Sequence, residues 1–139
     1  MPPKRFPSDD PREWLNRARS DLTMAKAEGL GIYYEDLCFH AQQATEKAIK
    51  AVLLHRGIRF PYVHNIGDLI RLLKRKAVSV PLRVWKAREL TDYAVETRYP
   101  GLSEPVSDKE YRDAVALAEA VVRWADKQIA QPKKRKRKP

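Results

Sequence analysis

Cysteine is almost absent from this chain: Cys38 stands alone, so no intrachain disulfide can form and a zinc site lacks its second sulfur ligand. Glycine is scarce too. Gly57, Gly67 and Gly101 are isolated, so no glycine-rich loop is present to cradle a phosphate. His40, His55 and His64 are the only histidines, and no metal or cofactor is expected. Glu35 and Asp36 are sequence neighbours that point different ways on a helix, which makes them a poor acid/base pair. No run alternates with period two, which argues against strands. No apolar run approaches the length of a membrane span, and MPPKRFPSDDPREW has no apolar leader, so a soluble cytoplasmic protein is expected.

Positive charge is plentiful but unevenly spread. The chain has 139 residues and a formal charge of +10, and the run Lys133–Lys138 supplies six of those ten, leaving +4 for residues 1–132. A mildly basic domain suits phosphate-bearing ligands without demanding them. Three segments are expected: a flexible stretch over 1–9, a helical bundle over 10–130, and a disordered basic tail over 131–139. The tail can touch nucleic acid nonspecifically by releasing counterions.

Within the bundle, Asp10-Pro11-Arg12-Glu13 places an acidic N-cap, proline at the first helical position and glutamate at the third. The helix that follows carries Trp14, Leu15, Ala18, Leu22 and Ala25 on one face and stops near Gly29 and Gly31. Gly57 closes a second helix as its C-cap. A linker over 58–63 leads to a short helix burying Ile66, Leu69, Ile70, Leu72 and Leu73. Pro81 opens another main helix with Leu82, Trp85, Leu90, Tyr93 and Ala94. After a loop over 98–106, Ser107-Asp108-Lys109-Glu110 forms a second capping box and starts a long helix. The fold class is all-α: an up-and-down bundle of four main helices plus one short helix.

The second helix carries the best clue to function. Tyr34, Leu37, Cys38, Ala41, Thr45, Ala48, Ile49, Val52 and Leu53 form one broad apolar stripe. Cys38 beside it is read as a small buried hydrophobe. At about 100° per residue, His40, Gln43, Lys47 and Lys50 fall in a narrow arc on the other side. Lys47 and Lys50 could neutralise a phosphate while His40 and Gln43 bond a base or sugar. Arg98 and Tyr99 could complete the site, guanidinium on phosphate and ring on base. The alternative is a solvated face with Glu46 paired to Lys50, while Tyr99 packs into the bundle end. On either reading Lys47 and Lys50 are surface lysines whose removal should leave the fold unchanged.

The order of HAQQATEKAIKAVLLHRG (residues 40–57), then His64-Asn65-Ile66-Gly67-Asp68-Leu69, then Asp92-Tyr93 and Arg98-Tyr99-Pro100-Gly101 resembles the HEPN domain family over roughly Pro11 to Ala130. The resemblance implies a helical bundle, commonly a symmetric homodimer, that binds nucleotide or RNA and acts with a minimal nucleotidyltransferase. One branch of that family consists of metal-independent ribonucleases, toxins of toxin–antitoxin pairs, with an arginine and a histidine four to six residues apart on the later helices. This sequence departs from that pattern. No histidine lies between Pro81 and Gln131, and Arg88 is followed by Asp92-Tyr93. Arg59 and His64 have the spacing but sit in the linker, where His64 is read as starting or capping the short helix. No catalytic residue is therefore assigned. Tyr33, Phe39 and Tyr62 lie off the main stripes, and a symmetric dimer would cover them.

Overall fold

The structure, a computed structural model, describes residues 1–60, 62–94 and 105–130. The described elements are α1 (Pro11–Ala25), α2 (Tyr34–His55), α3 (Ile66–Arg75), α4 (Leu82–Lys86), a 3-10 stretch Ala87–Ala94, and α5 (Asp108–Ala130). Among the described residues there is no strand, and no helix is long and apolar enough to cross a membrane. The all-α bundle expected from periodicity is the fold. Arg98, Tyr99 and the basic tail lie outside the described residues.

The fourth main helix differs from expectation. Only Leu82–Lys86 is α-helical after Pro81, and the chain tightens into a 3-10 stretch through Ala94. The contacts still follow the sequence pattern in part: Val84, Ala87 and Leu90 are buried, while Leu82 stays 80% exposed. Spacings of three residues, from Val84 through Ala87 to Leu90, fit the 3.0 residues per turn of a 3-10 helix.

α2 is the axis of the bundle, with α1 and α5 its principal neighbours. Leu37, Ile49, Val52 and Leu53 are essentially inaccessible, and α3 adds Ile66, Leu69, Ile70 and Leu73 to the same core. Alanines 41, 44, 48 and 51 are fully buried, and such small side chains let neighbouring helices approach closely. Tyr111 on α5 stacks on Tyr34 at 4.6 Å and donates its hydroxyl to the Ala25 carbonyl at 2.6 Å, joining three helices at one end.

The helix ends show where the local reading succeeds and where it stops. Ser107 and Glu110 make the reciprocal capping box: Glu110 N donates to Ser107 Oγ at 3.1 Å and Ser107 N to Glu110 Oε1 at 3.3 Å. At α1 only half of the box forms. Asp10 accepts from the Arg12 amide at 2.9 Å, but Glu13 reaches past it to the Phe6 amide at 3.0 Å and to Arg17 at 2.7 Å. Those two bonds, with Arg5 adding a third, hold its carboxyl below the usual carboxylate range. Residues 4–8, expected to be flexible, lie against α1: Trp14 Nε1 donates to the Ser8 carbonyl at 2.7 Å and Asn16 to that of Lys4 at 3.1 Å.

α2 and α3 end alike. Ile58 N donates to the Leu53 carbonyl and Gly57 N to that of Leu54, with Gly57 at φ +69°. Val78 N and Ala77 N repeat the pattern on Leu73 and Lys74, but there the left-handed residue is Ala77, at φ +61°. A Cβ in that region is disfavoured by about 1–2 kcal/mol, partly offset by glycine's greater freedom when unfolded. Ala77→Gly is therefore expected to stabilise the chain by about 0.5–1 kcal/mol in denaturant melts, and a loss of stability would remove the strain from this account.

Candidate functional site

The polar arc of α2 is not one surface. His40, Gln43 and Lys47 lie on a half-exposed edge, whereas Lys50 is buried at 5% exposure. The reason is α1 and the linker. Lys50 extends between the rings of Trp14 and Phe60, 5.8 and 5.6 Å from their centroids, and those rings meet edge-to-face at 6.2 Å. Its ammonium meets Glu46 one turn back at 3.3 Å. The Glu46–Lys50 pair anticipated by spacing is present, but inside the protein rather than on a solvated face.

Glu46 is itself a junction, 3% exposed. Besides Lys50 it takes His64 Nδ1 at 3.1 Å and Gln42 Nε2 at 3.4 Å, and Gln42 Oε1 accepts from Gln43 at 2.7 Å. A buried carboxylate is tolerable only with its lone pairs filled, and here they are filled from α2 and from the linker. This corrects the role read for His64. Asn65 caps α3, accepting from the Asp68 amide at 3.0 Å, while His64 reaches back to α2. Its ring is 62% exposed, so the second nitrogen is available to a partner.

Asp21 of α1, buried at 5%, forms a second junction. It accepts from Lys47 Nζ at 2.6 Å and His40 Nδ1 at 3.1 Å. The structure thus brings His40 and Lys47 together, ties Gln43 to the Glu46 network, and sets Lys50 below the surface. Arg98 and Tyr99 lie outside the described residues, so this edge is defined by α2 and α1 alone. Sequence reading missed Asp21 and Gln42, and it placed Glu46 on a solvated face when it is buried. A signal existed: each is a polar residue on an otherwise apolar face, Asp21 between Ala18, Leu22 and Ala25, and Glu46 beside Thr45 and Ile49. Cys38 is fully buried, and burial pushes its thiol up to about 12, which leaves it an inert packing group.

A second basic surface lies on α3, α4 and the start of the 3-10 stretch. Lys74 and Arg88 stand 4.5 Å, and Arg71 5.3 Å, from the half-buried ring of Trp85. All three cations are exposed, and only Arg71 has a carboxylate partner among the described residues, Asp68 at 2.9 Å. Trp85, expected among the apolar residues of the helix after Pro81, packs half-buried against the core and also meets these three cations. Among the described residues no group of three or more His, Cys, Asp or Glu could hold a metal ion.

Comparison with known proteins agrees with this architecture. The HEPN domain model matches residues 11–129. "Putative toxin MJ1304" of Methanocaldococcus jannaschii is 45% identical over 97 residues, covering 63% of this chain. The match spans only 61% of that relative's length. The crystal structure of TT1696 from Thermus thermophilus superposes with a TM-score of 0.72 at 34% identity, covering 85% of this chain and 97% of that one. ST0689, described as an archaeal HEPN homologue, gives 0.70 at 26% identity, covering 86% and 98%. With bundle, helix order and extent all in agreement, the chain belongs to the HEPN domain family.

Proposed function

We propose that this protein binds a nucleotide or RNA without cleaving it, as a homodimer acting with a nucleotidyltransferase partner. The observation that carries the binding reading is the group Arg71, Lys74 and Arg88 around Trp85. Guanidinium and ammonium groups neutralise phosphates, and a guanidinium plane held over an indole can itself take a stacked base on its outer side. The half-exposed edge of His40, Gln43 and Lys47, with Arg98 and Tyr99, is the second candidate contact. Lys50 would act there only by holding Glu46. The dimer is supported by exposed apolar residues on one protomer, Leu30 at 75%, Tyr33 at 78% and Tyr62 at 96%. The partner is supported by the family resemblance alone, and co-purification with a nucleotidyltransferase encoded beside this chain would test it.

The test is a salt titration of single-stranded RNA affinity. Replacing Arg71, Lys74 and Arg88 by alanine removes three phosphate partners. It is expected to weaken binding and to flatten the slope of log affinity against log salt by about 2. Lys47→Ala alone reports on the α2 edge. Unchanged affinity and slope in both variants would end this reading. Light scattering on the same samples reports the mass, and a particle of 16.1 kDa would remove the dimer.

A second reading, a ribonuclease of the toxin type, is favoured by one geometric fact. His64 is exposed yet oriented by a buried carboxylate, the arrangement of a histidine general base, and Arg59 precedes it in the linker. The name of the Methanocaldococcus relative points the same way. RNA length checked in those titrations decides between the two: cleavage that disappears in His64→Ala would establish this second reading.

A further inference from the structure

A cavity of about 590 Å³ opens where α2 and α3 end. Arg56, Arg59 and Lys76 stand around it, Ile58, Leu72 and Val78 form its apolar part, and no carboxylate lines it. Its volume falls within the range of roughly 300–1,000 Å³ usual for small-molecule sites. None of the three cations is ion-paired with another described residue. Arg56 donates to Gln128 Oε1 at 3.0 Å, a neutral acceptor that leaves its charge uncompensated.

Cations near a helix C-terminus are commonly explained by the macrodipole and by the unpaired carbonyls of the last turn. Here the backbone has already taken several of those carbonyls. Gly57 N and Ile58 N bond Leu54 and Leu53, and Ala77 N and Val78 N bond Lys74 and Leu73. Arg59 lies beyond the end of α2, where the dipole falls off. Those capping bonds form without the three side chains, whose charges are left facing a cavity with an apolar wall.

We infer that this cavity binds a nucleoside phosphate, with Arg56, Arg59 and Lys76 on the phosphate and the base against Ile58, Leu72 and Val78. The inference rests on the reading that the chain binds nucleotide or RNA, and it gives that ligand a place apart from the α2 edge and from Trp85. The phosphate could belong to a free nucleotide or to the end of an RNA.

The test is calorimetric titration of the full chain with adenosine 5′-monophosphate, adenosine, inorganic phosphate, and short RNAs ending in a 5′-phosphate or a 5′-hydroxyl. Adenosine 5′-monophosphate, the 5′-phosphorylated RNA, or both should bind at least tenfold more tightly than adenosine or phosphate alone. Arg59→Ala with Lys76→Ala should weaken that binding at least tenfold while the melting temperature stays in place. Arg83→Ala, an exposed α4 cation outside the cavity, should change nothing. A response confined to the mononucleotide identifies a free nucleotide as ligand, and one confined to 5′-phosphorylated RNA identifies an RNA end. Should the double variant lose helicity, Arg59→Glu alone repeats the measurement at an exposed linker position. Equal binding by parent and variant overturns the site while leaving RNA binding at Trp85 standing. Failure of every phosphorylated probe to bind the parent overturns it, and loss of RNA binding as well removes the broader reading.

Discussion

Glu46→Ala is expected to lower the stability of the chain by about 3–5 kcal/mol, the cost of leaving a buried charge without its partner. Lys50 is 5% exposed, and its ammonium faces aromatic rings on two sides, so no water replaces the lost carboxylate. His64 loses its anchor to α2 at the same time. For a domain of this length the melting temperature should fall by roughly 10–20 °C. Adding Lys50→Met to Glu46→Ala should recover much of the loss, because an unpaired cation is then replaced by an apolar chain of similar length. Asp113→Ala breaks an equally regular i,i+4 pair with Lys109, but one exposed at both ends, and should change little. A Glu46→Ala protein melting where the parent melts would show that water reaches Lys50. By the same argument Lys50→Ala cannot serve as a silent probe of ligand binding, contrary to the expectation drawn for a surface lysine.

Removing residues 131–139 deletes six of the ten net positive charges, and it is expected to separate nonspecific from specific binding. The slope of log affinity against log salt for single-stranded RNA should flatten by about 4 if all six cations contact phosphates. Folding should be indifferent to the cut. The residues by which α5 is buried, Tyr111, Ala114, Ala118, Val121, Val122, Trp124 and Ala125, all precede it. Mononucleotide affinity should survive, since neither the cavity of Arg56, Arg59 and Lys76 nor the edge of α2 includes those residues. An unchanged salt slope would show that the tail does not touch RNA, and loss of mononucleotide binding would move the site into the tail.

Much of the architecture is legible from local chemistry. Apolar residues at three- and four-residue steps placed α1, α2, α3 and α5, because helix geometry is set by the chain itself. The Ser107–Glu110 box and Gly57 marked their helix ends because each acts within a few residues. Where the competing partner lay farther off, the local signal was outvoted. Glu13 abandoned its box for the Phe6 amide, and His64 left the cap of α3 to Asn65 and turned to Glu46.

The functional surface was less legible, for a physical reason. Periodicity divides a helix into two sides but does not say what packs against either one. On α2 both sides are used: the apolar stripe joins the core, and part of the polar arc runs under α1 and the linker, where Asp21, Trp14 and Phe60 meet it. The basic patch at Trp85 and the cavity at Ile58 join side chains from separate segments, and no single window of sequence contains them. Sequence by itself determined four of the helices, their order and most of their caps, all of which depend on short-range spacing, while the family came from resemblance to known proteins. Only the tertiary structure decided which lysines remain available to a ligand, because that depends on which buried carboxylate each one meets.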